Sequence, residues 1–193
     1  MRRVAAVAVA AASVLAVAGC SSSGDGKNKG GEPRGNPGVT KEERERADAE
    51  ARERAKDEAA MKDAALRFAK AYVAHDVPTS CALMTPNKRG GDGSPDGCAQ
   101  RLAHLADEKP EPGVTVSVEG IPVDVSPTGK HPQGSGLMVK ETTAEGAQTS
   151  VRREALRMVK TDDTWLVDQQ VYVRDEDMSA DSPVRHALMR SSQ

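Results

Sequence analysis

Three cysteines and four histidines are the residues of this chain best suited to chemistry. Cys81 and Cys98 each sit on a short helical segment, placed to lock two helices together. His75 is followed by Asp76 at the end of a long helical pattern. Such a pair can serve as general acid and base. It also reads as a helix C-terminal charge followed by a capping carboxylate, which is the stronger reading. His104 lies on another helical face from Cys98, so neither cysteine has a partner at ligand spacing and no metal site is expected. His131 falls in a Pro/Gly loop and His186 in a polar tail, where both read as solvent-exposed. The Gly-rich stretch 90–97 follows no strand and lacks a Lys-Ser/Thr ending, so it is no phosphate cradle. No Ser/His/Asp order stands out by spacing, and no cofactor is implied.

The third cysteine belongs to a different setting. Met1-Arg2-Arg3 is a short basic segment, residues 4–17 are Ala, Val and Leu with one Ser, and Ala18-Gly19 are small. That order is an export signal, too short and too Ala-rich for a membrane span. Leu15-Ala16-Val17-Ala18-Gly19-Cys20 resembles a bacterial lipobox. The resemblance implies cleavage before Cys20, a diacylglycerol on its sulfur and anchoring in the membrane. Two acyl chains on one residue hold where a single chain is marginal. Loss of Arg2 and Arg3 leaves the exported chain two charges more negative than the full chain's −2. Neither state suits an electrostatic nucleic-acid binder. With Cys20 acylated, Cys81 and Cys98 remain as one pair, which in an exported protein implies a disulfide. A bridge closing a loop of about 17 residues is worth about 3 kcal/mol.

Several elements must position these residues. Residues 21–39 contain no large apolar side chain before Val39 and cannot offset their own ordering entropy, so 20–39 is expected to be a flexible tether. Thr40 with Glu43 fits a capping box, and neither Gly nor Pro follows until Pro78. Residues 41–60 are almost wholly charged residues and Ala. Glu42, Arg46, Glu50, Arg54, Glu58 and Lys62 alternate in sign every four residues, each pair worth about 0.2–0.5 kcal/mol. A helix over 41–76 would run about 54 Å. Its first half, 40–60, reads as a solvated stalk, with no apolar seam for a coiled coil.

From Met61 the stripe Met61, Ala65, Phe68 and Tyr72 marks a core-facing helix face, ended by Pro78. A short helix over 80–84 follows, capped by Asp76 or Thr79. Another over 98–105 is capped by Asp96 and buries Leu102 and Leu105. After Gly113 the period becomes two. Val114, Val116 and Val118 continue past Gly120 as Ile121, Val123 and Val125, with Gly120 marking a bulge, bend or break. Strands are expected over 137–143, 149–160 and 164–173, the last with Trp165, Val167, Val171 and Val173 on one face. The tail 174–193 is expected to be flexible, with a frayed helix at 184–189. Helices followed by four or five antiparallel strands predict an α+β fold, helices packed on one face of a curved sheet.

The order and spacing of three segments resemble a known family. They are Ala69-Lys70-Ala71-Tyr72-Val73-Ala74-His75-Asp76, Cys81-Ala82-Leu83-Met84-Thr85-Pro86 with Cys98-Ala99-Gln100-Arg101-Leu102, and the hairpin Val159-Lys160-Thr161-Asp162-Asp163-Thr164-Trp165-Leu166-Val167. Over residues 61–173 the chain resembles the NTF2-like, or cystatin-like, α+β cone domains of small lipoproteins from high-G+C Gram-positive bacteria. The resemblance implies a sheet curled into a cone, often around an apolar cavity. Phe68, Tyr72, Leu83 and Trp165 would be its walls, Trp165 serving first as a core anchor. Aromatic residues are only 2% of the chain, which argues against a large cavity. The fold hosts many activities. The expected function is non-catalytic binding of a small apolar ligand, or an accessory role beside an envelope protein, at the outer face of the cell membrane. The alternatives are a cone-fold isomerase, dehydratase or hydrolase, and a partner-binding or homodimerising module.

Overall fold

The computed structural model describes residues 40–190 apart from Ala147. The expected signal and tether, 1–39, lie outside the described residues. Helix α1, Lys41–Val73, begins at a capping box: Glu43 N–H donates to Thr40 Oγ1 at 3.2 Å and Thr40 N–H to Glu43 Oε2 at 2.8 Å. Residues 41–56 are exposed throughout. Of the expected charge ladder, Glu58–Lys62 closes at 2.6 Å, while Lys41–Glu45 and Asp63–Arg67 pair on neighbouring rows. The helix gains its core face at Met61, Ala64, Ala65, Phe68 and Ala69. It stops where His75 takes a positive φ of 56°, a left-handed conformation that cannot continue a helix.

Four short helices follow: α2 Val77–Ala82, α3 Pro86–Arg89, α4 Pro95–Arg101 and α5 Ala103–Ala106. Asp76 Oδ1 accepts from Thr79 N–H at 3.1 Å and so caps α2. The cap of α4 is Ser94, not Asp96, because Pro95 is already the first helical residue. Leu102 and Leu105 pack half-buried against the core.

The fold is α+β, with α1 packed on a four-stranded antiparallel sheet. Strands β1 Val114–Val125, β2 Gly134–Glu145, β3 Gln148–Thr161 and β4 Thr164–Tyr172 lie side by side in chain order. Strand β1 continues through Gly120, where the register against β2 shifts between Glu119 and Val123. Gly120 has φ 77°, and the shift leaves Ile121 exposed. Asp162 and Asp163 both take positive φ in the β3–β4 turn, the conformation that matches the twist of a two-residue hairpin.

A second irregularity corrects the expected face of β4. Met158 pairs with Val167 and Arg157 with Gln169, so Asp168 is an extra residue in the ladder. The insertion reverses the alternation. Trp165 and Val167 pack toward Phe68 and Leu156, while Val171 and Val173 pack with Ala155 and Met138 on the opposite face.

That opposite face is covered by the C-terminal segment, which is folded and packed rather than the flexible tail its polarity suggests. Arg174 leads into α6, Asp175–Met178, and α7, Pro183–Arg190. Val184, Ala187 and Leu188 are buried on Val125, Met138, Ala155 and Val173. The approach is close: a Cβ on Gly136 would lie 2.6 Å from Val184 Cγ1. Polarity misled here because α7 is amphipathic over only two turns, too short to show its stripe clearly. No described helix is long and apolar enough to cross a membrane.

Candidate functional site

The residues expected to line a cavity do come together. Phe68 is fully buried, Tyr72, Leu83 and Trp165 pack half-buried against the same core cluster, and the Phe68 and Tyr72 rings stack 5.9 Å apart. They share that space with Met84, Leu137, Leu156, Met158 and Val167, all nearly inaccessible. Trp165 Nε1–H donates to Asp57 Oδ1 at 3.1 Å, and Lys160 Nζ lies 2.8 Å from the same oxygen. The last turns of the stalk are thereby tied to the β3–β4 hairpin. Cys81 and Cys98 form a disulfide joining α2 to α4, with Cα atoms 5.8 Å apart. His75 Nδ1 lies 2.9 Å from Glu108 O, and Asp76 is occupied by its cap, so each serves the backbone.

The chemically distinctive cluster lies elsewhere, around the inserted Asp168. This carboxylate is 1% exposed. It accepts from Thr85 Oγ1–H at 2.8 Å and from the Asn87 amide at 3.3 Å, and His131 Nδ1 lies 2.6 Å from its second oxygen. In the neutral ring, an Nδ1–H given to the carboxylate leaves His131 Nε2 as an acceptor. The segment 126–132 that delivers His131 is held from below by Arg157, which is wholly buried. Its guanidinium donates to Ser126 O at 2.9 Å, Pro132 O at 2.6 Å, Thr128 Oγ1 at 2.8 Å and Gln169 Oε1 at 3.0 Å. Thr128 and His131 close the loop by reciprocal backbone bonds of 3.0 and 2.9 Å.

Beside this cluster stands Lys88, half-buried on α3, its Nζ 5.8 Å from the Phe68 ring centroid. Thr85 Oγ1 accepts from Lys88 N–H at 3.2 Å while donating to Asp168, so one hydroxyl positions both residues. Burial pulls the Lys88 ammonium down to about 8, against the support of Glu154 and Asp168.

Further along the same sheet face, Glu154 is buried between Arg152 Nη2, at 2.6 Å, and the Gln170 amide. Arg152 also reaches Glu141 at 3.9 Å and lies over the Tyr172 ring at 5.9 Å. Burial, with Glu154 adding, pushes both the Glu141 carboxyl and the Tyr72 phenol up.

No protein-family model matches the chain, and no curated protein proves similar to it. What the site can do therefore rests on its own chemistry. Two open clefts flank the Arg152–Glu154–Gln170 ridge. One of about 290 Å³ is bordered by Tyr72, His75, Glu108, Glu141 and Arg152. The other, of about 500 Å³, is bordered by Lys88, Lys130, His131, Asp168, Gln170 and Tyr172. Both are lined by more polar than apolar surface, with Val73 and Val114 in the first and Val171 and Tyr172 in the second, so they suit a small polar or amphipathic ligand. Among the described residues no group of three or more His, Cys, Asp or Glu is placed to hold a metal ion.

Thr85 and Lys88 at α3, His131 in the β1–β2 loop and Arg157 on β3 come from three separate elements, so the sequence does not assemble them; His131, expected to be solvent-exposed, is largely covered beside Asp168. Asp168 carried the one available signal, since Asp is disfavoured within strands.

Proposed function

We propose that this chain is a lipoprotein anchored by acylated Cys20 at the outer face of the cell membrane. In this reading it displays an NTF2-like domain with a non-catalytic binding or accessory role. The observation that carries the reading is the Cys81–Cys98 disulfide. A disulfide between helices suits an oxidising, extracytoplasmic setting. It also takes up both other cysteines, leaving Cys20 for the lipid. The NTF2-like assignment is supported by the long helix over one face of the antiparallel sheet and the short helices that follow it. A binding role is supported by the polar clefts, and a non-catalytic one by the engagement of Asp168 and Glu154 in internal hydrogen bonds.

The test is fractionation of cells expressing the chain and its Cys20→Ala variant. The reading expects the native chain with membranes, released only by detergent, and the variant unacylated. Equal membrane retention of the two, without lipid on either, would refute it.

A further inference from the structure

The cleft at the edge of β4 contains an unanswered cation. Lys88 Nζ has three N–H donors. Among the described residues no carboxylate lies within ion-pair distance of it, and no acceptor takes a hydrogen bond from it. The two nearby carboxylates are already engaged. Asp168 is shared by Thr85, Asn87 and His131, and Glu154 by Arg152 and Gln170. Their fields help keep Lys88 charged, but their oxygens are turned to other donors. A half-buried ammonium without a partner is costly, yet the fold holds it in place through the shared Thr85 hydroxyl and the Phe68 ring.

A second cation borders the same cleft. The loop anchored by buried Arg157 carries Lys130 beside His131. Lys130 O also accepts from the Asn87 amide at 3.4 Å, which links that loop to α3 and hence to Lys88. Tyr172, half exposed and with Arg152 over its ring, borders the same cleft. The lining of the cleft thus combines two ammonium groups, the already engaged Asp168 carboxylate and an aromatic ring.

We propose that this cleft binds a small organic acid, its carboxylate held by Lys88 and Lys130 and its apolar body laid against Tyr172. The proposal deepens the binding reading above and rests on it. Its test is independent of membrane anchoring, because it reads the cleft alone.

The experiment uses the full chain in detergent micelles with its lysines ¹³C-dimethylated, a modification that preserves their charge. The Lys88 resonance is assigned by its loss in Lys88→Gln. Benzoate is titrated in, with benzamide as the neutral isostere and inorganic phosphate as the anion without an apolar body. The expected result is a saturable shift of the Lys88 signal with benzoate at millimolar levels and none with benzamide. Lys88→Gln should weaken benzoate binding about tenfold or more, seen from the ligand's own signals. The exposed Lys130→Gln, which leaves the packing untouched, should weaken it several-fold. Absence of saturation, equal response to benzamide, tighter binding of phosphate than of benzoate, or undiminished affinity in Lys130→Gln would each overturn the proposal.

Discussion

His131 Nδ1 lies 2.6 Å from Asp168 Oδ2, joining a surface loop to the inserted residue of β4 across 37 positions of sequence. The contact fixes the loop on the sheet edge and, through Thr85 and Asn87, fixes α3 to the same point.

Removal of the carboxylate should therefore loosen three segments together. Asp168→Ala strands the donors of Thr85, Asn87 and His131, and a loss of about 3 kcal/mol is expected in urea unfolding. Asp168→Asn keeps one acceptor oxygen and should cost less. A loss under about 1 kcal/mol for the alanine variant would show that water replaces the carboxylate readily.

Lys88 should behave in the opposite sense. Its folded value of about 8 lies below that of an unfolded lysine, so folding opposes its protonation. The penalty is fully present below pH 8 and is relieved as pH rises from about 8 to about 10. Lys88→Met, which keeps the stem over Phe68, should stabilise the domain by about 1 kcal/mol at pH 7. Unfolding curves at pH 7 and pH 10 check this: the gain should shrink at the higher pH.

The disulfide closes a loop that contains α3 and the Gly-rich turn. Replacing Cys81 and Cys98 by Ser together should cost about 3 kcal/mol by the loop-entropy argument. Reduction of the exported protein should add the mass of two hydrogen atoms. An unchanged mass would indicate free thiols.

Acid should release the C-terminal helix before the rest of the domain. Asp177 is wholly buried. Burial alone pushes its carboxyl up. Arg190, the Arg174 N–H and His186 outweigh burial and hold it at about 2, below the unfolded value. Its contribution of about 2 kcal/mol is present above pH 4 and is lost as pH falls from about 4 to about 2. Asp177→Asn should remove that part of the acid transition, with amide exchange in α7 as the local readout.

Much of this protein is written in local chemistry. The capping box at Thr40, the stop at His75-Asp76, the alternation of Val114, Val116 and Val118, and the Asp162-Asp163 turn each depend on residues a few positions apart. They could be read from the chain alone, as could the pairing of the two cysteines once Cys20 was set aside. The apolar stripe likewise named Met61, Ala65, Phe68 and Tyr72 as one helix face, because period and burial go together.

Tertiary structure decided what depends on a partner strand or a distant loop. Asp168 is an unusual residue for a strand, but only the pairing of β3 with β4 makes it the extra one. That single insertion sends Val171 and Val173 to the far face, creates the surface on which α7 folds, and turns Asp168 toward Thr85, Asn87 and His131. Buried Arg157 then finds its acceptors in the loop between β1 and β2. Lys88 acquires its lowered basicity only after packing removes water from its side. Interactions of that kind join residues tens of positions apart, so no window of the sequence contains both halves of them.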